Sequence, residues 1–352
     1  MKRVAIIGSH GLYANYGGWD QLVKNLAERK SDEVNYIIFN SSDSAKSDRV
    51  PPSGVTVKRL KFKASGFEGL FYDFWSILLC YYSVDTILFL GVQGLPLIPI
   101  LRIFKRIKIV SNVGGIEWER PKFGFFSKTY LKLCFRLAFI CSDTVVLDNE
   151  YYKIYTPDKV KSGTKIIPYG GEIDTSLSID EEIKKKYPFI TSDYFLSVSR
   201  SLEDNMIDEL CESFVGSKHS LVLISNLTNS YYGKSILAKY SKYPNIVLIN
   251  GLYFKPELDL IRRKCKAYIH THTLCGTAPS LVEMIITGVP ILSIDKPQNR
   301  FTLYETAFFF SSFIELQKLI DKEIDLSDYI PGIIIRECYN WPRIIEQYES
   351  LY

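Results

Sequence analysis

Short apolar runs alternate with longer stretches of helical periodicity along almost the whole chain, and this alternation limits the fold more than any other feature. In residues 1–170 the runs are Val4-Ala-Ile-Ile7, Asn35–Phe39, Val55–Val57, Thr86–Leu90, Lys108–Ser111, Thr144–Leu147 and Lys165–Ile167. Helical patterns over Trp19–Glu28, Gly69–Tyr82 and Phe126–Ile140 separate some of them. Strands joined by helices in this way lie parallel in a sheet covered on both faces, so an α/β class is expected. A second series follows, with strands at Tyr194–Val198, Leu221–Ile224, Asn245–Ile249, Ala267–His270 and Pro290–Ile294. Its helices are expected at Met206–Phe214, Tyr232–Tyr240, Lys255–Lys264, Ser280–Thr287 and Phe313–Asp321. Two such series in 352 residues predict two Rossmann-like domains, because one core does not extend over a chain of this length. The expected boundaries are 1–170, 171–337 and a terminal helix in 338–352. The polar stretch from Gly171 to Pro188, with Glu181-Glu-Ile-Lys-Lys-Lys186, reads as a connector.

The densest chemical signal is His270-Thr-His272-Thr-Leu-Cys275-Gly276-Thr277-Ala278-Pro279-Ser280-Leu-Val-Glu283. An apolar strand feeds a small-residue turn, and a helix begins at Pro279-Ser280, where a proline loses no hydrogen bond. The free N–H groups of such a helix start, with the positive end of its dipole, suit a diphosphate. Glu283 comes about one turn later, within reach of a sugar hydroxyl of the same nucleotide. Gly288-Val-Pro290 then ends the helix and starts the next strand. Spacing alone fits an ordinary capped βα turn equally well.

This stretch resembles the donor-site signature of retaining glycosyltransferases of the GT-B fold, family four, and most of all their bacterial rhamnosyltransferase-like branch. Three other runs resemble the branch, in the same order. Gly8-Ser-His10-Gly11 leads through Tyr16-Gly17-Gly18-Trp19-Asp20 after the first strand, where a glycine pair lets backbone approach a phosphate or sugar. It is not the Gly-x-Gly-x-x-Gly of dinucleotide oxidoreductases, which disfavours an NAD-dependent enzyme. Ser197-Val-Ser-Arg200 ends the first strand of the second series, placing an Arg to clamp a diphosphate. Asn112-Val-Gly114-Gly115-Ile-Glu117-Trp118-Glu-Arg120-x-Lys122 follows a strand of the first series.

The resemblance implies a GT-B protein with its active site in the cleft between two Rossmann-like domains and a final helix returning to the first domain. It implies catalytic roles for Arg200, His272 and Glu283, with Glu283 on the nucleotide ribose. Gly17, Gly18, Asn205, Cys275, Gly276, Thr277, Ala278 and Ser280 would complete the donor site. Asp20, Glu117, Trp118 and Arg120 would hold the acceptor, Trp118 offering a flat face to a sugar ring. The chain departs from the family at three positions. Asn205 stands where many relatives carry a Lys, Cys275 where the wider family has the first Glu of a pair, and Gly114 where the branch has an Asp.

Charge is unevenly spread. Residues 1–170 hold 24 Lys and Arg against 15 Asp and Glu, and the remainder 19 against 24. Basic clusters at Lys58-Arg59-x-Lys61-x-Lys63, Arg102-x-x-Lys105-Arg106-x-Lys108 and Lys122…Lys128…Lys132…Arg136 lie beside Phe67, Phe71, Phe74, Trp75, Phe123, Phe125 and Phe126. That mixture suits the surface of an anionic membrane, although a solvated charged face over a normal core fits as well. The most apolar window, Ile87–Leu101, is broken by Gly91, Gln93, Gly94, Pro96 and Pro99, so a spanning helix is not expected. The seven cysteines form no CxxC pair, and with no secretory signal ahead of the first strand they are expected to be reduced thiols of a cytoplasmic protein.

The expected function is therefore transfer of a sugar from a nucleoside-diphosphate sugar to a lipid-linked oligosaccharide, in bacterial surface-polysaccharide synthesis at the inner face of the membrane. No Asp-x-Asp motif occurs, so no metal or other cofactor is expected, nor is a nucleic-acid partner. The branch resemblance alone favours a deoxysugar such as rhamnose. A sugar-nucleotide-binding subunit without turnover, or a GT-B sugar-nucleotide epimerase, stays open beside this reading.

Overall fold

The computed structural model describes the chain apart from residues 15–16, 45–47, 103–106, 121–122 and 323–324, and apart from the side chains of 101, 102, 161 and 162. Tyr16, Lys105, Arg106, Lys122 and the Arg102 side chain thus lie outside the described residues. The chain divides into two units, residues 1–170 with 341–352, and residues 171–340.

In the first unit seven strands, β1 (Lys2–Ile7), β2 (Val34–Asn40), β3 (Val55–Arg59), β4 (Thr86–Leu90), β5 (Lys108–Asn112), β6 (Thr144–Leu147) and β7 (Lys165–Ile166), form one parallel sheet. The order is β3-β2-β1-β4-β5-β6-β7. Helices α1 (Gly18–Arg29), α2 (Glu68–Cys80), α3 (Ile98–Arg102) and α4 (Phe125–Cys141) belong to this unit. Alternate strand residues point to opposite faces. Ile87 and Phe89 of β4 join Tyr72 and Ile77 of α2 and Leu131 and Phe135 of α4 in one core. Leu88 and Leu90 join Leu22 and Leu26 of α1 on the other face.

The second unit repeats the plan with β8 (Tyr194–Val198), β9 (Ser220–Ser225), β10 (Ile246–Asn250), β11 (Ala267–His270), β12 (Ile291–Ile294) and β13 (Phe308–Phe310). They too are parallel, in the order β10-β9-β8-β11-β12-β13. Its helices are α5 (Glu181–Lys186), α6 (Ile207–Glu212), α7 (Tyr231–Tyr240), α8 (Lys255–Lys264), α9 (Pro279–Thr287), α10 (Pro297–Leu303), α11 (Phe313–Asp321) and α12 (Ile333–Cys338). Strand β13 and helices α10 and α12 have no counterpart in the sequence reading.

The connector expected over 171–188 is instead part of this unit. Ile183, Tyr187 and Ile190 lie about one helical turn apart and enter its core. The Tyr187 hydroxyl donates to Glu257 Oε2 at 2.7 Å, and Lys186 Nζ lies 2.6 Å from Oε1 of the same carboxylate. The charged run is the solvent side of a short helix, and its apolar residues anchor it.

After Asn340 the chain re-enters the first unit as α13 (Trp341–Glu349); the sequence reading placed this change at 338. Trp341, Ile344, Ile345 and Tyr348 form one helical stripe buried against Val4, Ile6 and Leu22. The Asn112 amide donates to the Tyr348 hydroxyl at 2.6 Å, tying the end of β5 to this last helix. All seven cysteines are free, five of them buried. Among the described residues no helix is long and apolar enough to cross a membrane.

Candidate functional site

In the second unit the strand order reverses beside β8, so the loops after β8 and β11 open on the same crevice, where open parallel sheets take their ligands. These loops carry Arg200 and Asn205 on one side and His272 to Ala278 on the other. They are stitched together. Thr271 Oγ1 donates to the Asn205 carbonyl at 2.5 Å, and the Thr273 N–H and hydroxyl both donate to the Asp204 carbonyl, at 3.0 and 2.8 Å. Arg200 is exposed and makes no ion pair with Glu203 or Asp204 among the described residues. Asn205 is buried, and its amide donates to the Arg200 carbonyl at 2.7 Å. The side chain expected on the donor therefore braces the backbone that presents Arg200.

Helix α9 begins at Pro279 with Ala278 as N-cap, and no side chain caps it. The Tyr268 hydroxyl, pushed up to about 12 by burial, donates to the Val198 carbonyl at 3.2 Å and is hydrogen-bonded to the Ser280 side chain. This fixes the helix start against the end of β8. Gly276, Thr277 and Ala278 are buried in the turn, and Cys275 is partly buried against the core. His272 is buried, with its ring centroid 4.4 Å from that of His270. His270 is fully enclosed, and neither of its ring nitrogens has a hydrogen-bond partner among the described residues. Burial lowers its pKa to about 3, so the ring is neutral.

Glu283 sits at the end of an ionic network that the sequence reading missed. Arg262 of α8 is almost wholly buried, with Nη2 2.5 Å from Glu283 Oε2 and Nη1 2.8 Å from the buried Asp259 carboxylate. Burial works against the Arg262 charge, but the two carboxylates hold its pKa above the ordinary value. Lys255 adds a contact of 2.7 Å to Asp259 and one of 3.7 Å to the other Glu283 oxygen. The network sets the Glu283 carboxylate, which is one-quarter exposed, in one orientation. Lys255, Asp259 and Arg262 recur at helical spacing in α8, but Glu257, Arg263 and Lys264 surround them, so the stripe does not stand out from the other charges of the helix.

The first unit has its own reversal of strand order, beside β1. Gly8, at φ +100°, ends β1 where a Cβ would stand 2.1 Å from the Leu90 carbonyl oxygen. Among the described residues nothing lies within 4 Å of a Cβ built on Gly17, and Gly18 starts α1 beside it. Asp20 is buried rather than offered to a substrate: it accepts from the His10 N–H at 3.0 Å and lies 3.5 Å from His10 Nδ1. For His10, burial lowers the pKa, but the Asp20 hydrogen bond and the charges of Asp20 and Asp43 outweigh it, so the net shift is upward. The expected acceptor contact at Asp20 is corrected to a buried partner that orients His10.

Trp118 is corrected in the same way. It is buried in the core, edge-on to Phe135 at 4.7 Å and to Tyr155 at 6.0 Å, so it presents no face to a sugar. Arg120 is also buried, with Nε 3.0 Å from Glu117 Oε1, which leaves Glu117 the more open of the pair. Gly114 lies at φ +62° beneath the Trp19 ring, where a Cβ would come within 3.0 Å of the indole. An Asp at that position would displace Trp19. At the end of β6, Asp148 is buried, and burial raises its carboxyl to about 7, with the Glu117 charge adding to the effect. Its burial could not be foreseen from a lone Asp after an apolar run.

Residues 1–88 match a family model described as "Domain of unknown function (DUF1972)". No curated protein matches the sequence. Among solved structures, the chain is similar to sucrose-phosphate synthase from Thermosynechococcus elongatus, with a TM-score of 0.80 at 15% identity over 100% of this chain and 98% of that one. It is similar to Anabaena HepE in complex with UDP-glucose, with a TM-score of 0.72 at 14% identity over 100% and 99%. It is also similar to a UDP-forming α,α-trehalose-phosphate synthase from Burkholderia xenovorans, with a TM-score of 0.73 at 11% identity and full coverage of both chains. The fold is GT-B: two Rossmann-like α/β domains, here with seven and six parallel strands.

Two expectations follow. Arg262→Met leaves the buried Asp259 and the Glu283 carboxylate with Lys255 as their one remaining cation among the described residues and is expected to cost about 3 kcal/mol in the second unit; urea unfolding followed by hydrogen exchange in β8 and β11 measures it, and a loss under about 1 kcal/mol contradicts the network. His270 takes up a proton in the unfolded chain near pH 6.5 but in the folded one only near pH 3. Its contribution is therefore complete above pH 6.5 and falls away as the pH drops toward 3. His270→Leu should flatten this acid limb, by ~2 kcal/mol at pH 5 relative to neutral pH; parallel acid slopes for the two proteins would refute it.

Proposed function

We propose that this chain is a retaining glycosyltransferase of family four, in the rhamnosyltransferase-like branch, taking its sugar from a nucleoside-diphosphate donor. One observation carries the reading. At the β8/β11 crevice, an uncapped helix start and the exposed Arg200 adjoin a glutamate that Arg262 and Lys255 hold in place one turn into α9. The diphosphate would lie on the Gly276–Ser280 backbone, with Arg200 and His272 at its border and the ribose hydroxyls on Glu283. Fixed donors aimed at the departing nucleoside diphosphate stabilise the charge it develops, and such donors do a cation's work without a metal. The acceptor would be a lipid-linked saccharide at the inner face of the membrane, approached through Glu117 and through His10, which Asp20 holds from behind. The crowding of Gly114 by Trp19 supports a different acceptor contact from the branch's Asp.

The similar structures include proteins bound to UDP-glucose or described as UDP-forming, which supports a nucleotide-sugar donor without choosing the sugar. The second reading, a sugar-nucleotide-binding subunit without turnover, is favoured by Asn205, whose amide is spent on the Arg200 carbonyl where relatives have a second cation.

The test is donor binding and hydrolysis across a panel that includes UDP-glucose and dTDP-rhamnose. The transferase reading expects one donor to bind and turn over slowly, with affinity falling about tenfold or more in Glu283→Ala as hydrogen bonds to the ribose are lost. Binding without turnover, even with lipid-linked acceptors present, selects the second reading. Failure of every nucleotide sugar to bind overturns both.

A further inference from the structure

Helix α2 is built inside out. The side it turns toward the sheet carries Gly69, Asp73, Ser76 and Cys80 beside Tyr72 and Ile77. Its outer side carries Phe71, Phe74, Trp75 and Leu78, all 40–45% exposed, with Phe67 and Tyr82 open at either end. These six fall on one helical stripe. A surface helix in water normally buries its apolar stripe and shows the polar one. Here the aromatic stripe faces out, and it is continuous: Phe67 and Phe71 meet edge-on at 5.6 Å, and Phe74 and Trp75 at 5.9 Å. A contiguous apolar patch of this kind marks an interaction surface.

Helix α4 lies on the same side of the same sheet. Both helices contribute to one core, and both flank the segment at Gln93-Gly94. The Tyr130 hydroxyl of α4 donates to the Gln93 carbonyl at 2.9 Å, and Gly69 and Asp73 of α2 crowd Gln93 and Gly94. The outer side of α4 mixes exposed Phe126, Leu133 and Ile140 with Lys132 and Arg136, and the helix contains no acidic residue. On the other flank of α2, Lys58 Nζ lies 3.3 Å from the Leu79 carbonyl, with Lys61 and Lys63 exposed nearby. Of the acidic groups near this surface, Glu68 accepts from the Lys63 N–H and Glu119 is paired with Lys132 at 3.8 Å.

We propose that the outer sides of α2 and α4 together form the surface by which this protein lies on an anionic lipid bilayer, the aromatic stripe entering the acyl boundary and the basic side chains meeting lipid phosphates. This deepens the membrane placement given above by naming the surface that makes it. Phe and Trp side chains suit the boundary between headgroups and acyl chains, and Lys and Arg bury their stems there while their charges stay in the headgroup layer. Each basic residue near an anionic surface adds attraction that salt weakens. A second copy of the chain is a poorer occupant, because self-association would bring two basic rims together. A bilayer offers apolar depth and negative charge at once.

The test uses the full chain with vesicles of phosphatidylcholine alone or mixed with phosphatidylglycerol, with sedimentation and tryptophan emission as readouts. The expected result is binding to phosphatidylglycerol vesicles that weakens with added salt and shifts emission to the blue. Phe71→Glu with Leu78→Glu, both on the exposed stripe, should lower partitioning about tenfold or more. Lys132→Glu with Arg136→Glu should remove the preference for phosphatidylglycerol. No sedimentation with either vesicle overturns the proposal. So does a dimer that Phe71→Glu dissociates while vesicles stay unbound, which assigns the surface to a second copy. UDP-glucose and dTDP-rhamnose binding, measured on the same samples, keeps the two readings apart: vesicle binding without donor binding tells against the transferase alone, and the reverse against this surface alone.

Discussion

The reversal of strand order beside the first strand of each sheet is the constraint on which both candidate sites depend. In the second unit, β8 passes to β9 on one side while β11 returns on the other. The loops after β8 and β11 then leave adjacent strands at the same end of the sheet and border one crevice. Short polar bonds from Thr271 and Thr273 to the Asn205 and Asp204 carbonyls join the two loops and fix the border of that crevice. The same reversal in the first unit leaves room for His10, Gly17 and Trp19. A chain with this topology has a place for a ligand before any residue is chosen to bind one.

What the residues add is orientation under electrostatic strain. Arg262 and Asp259 are charges taken out of water, and neither is tolerable alone. Together with Glu283 and Lys255 they form a chain of opposite charges that ends at the surface on one carboxylate. Breaking it would leave a buried charge only partly compensated, so the position of Glu283 is coupled to the stability of the unit. His10 and Asp20 repeat this arrangement on a smaller scale, with the buried carboxylate holding a ring that is more open than itself. In both cases the side chain best placed to meet a ligand is held by a charged partner behind it.

Much of the α/β fold was legible because β-strands covered on both faces are apolar throughout. β1, β4, β8 and β11 stand out for that reason, and α8 and α9 for their periodicity. β13 was not legible: Phe308–Phe310 is too short to show a period. The run at Glu181–Lys186 misled because charge dominates its composition, while the residues that anchor it, Ile183, Tyr187 and Ile190, are sparse. At the candidate site the sequence indicated Arg200, the Gly276–Ser280 turn and Glu283, whose types match the geometry of a βα turn. It misassigned Asp20 and Trp118, because a polar or aromatic residue beside a glycine-rich loop looks the same whether it faces a ligand or the core. Burial decides between those, and burial depends on partners distant in the chain, such as Phe135 for Trp118. Lys255, Asp259 and Arg262 went unread because each, taken singly, resembles any charge on a surface helix.

The central claim is that the β8/β11 crevice holds a nucleoside diphosphate, with Glu283 on its ribose. Amide hydrogen exchange of the chain with and without UDP tests it most directly. The account predicts slowed exchange at Gly276–Glu283 and at Ser199–Leu202, with Glu283→Ala reducing the protection at both. Protection confined to other segments, or none at saturating UDP, would contradict it.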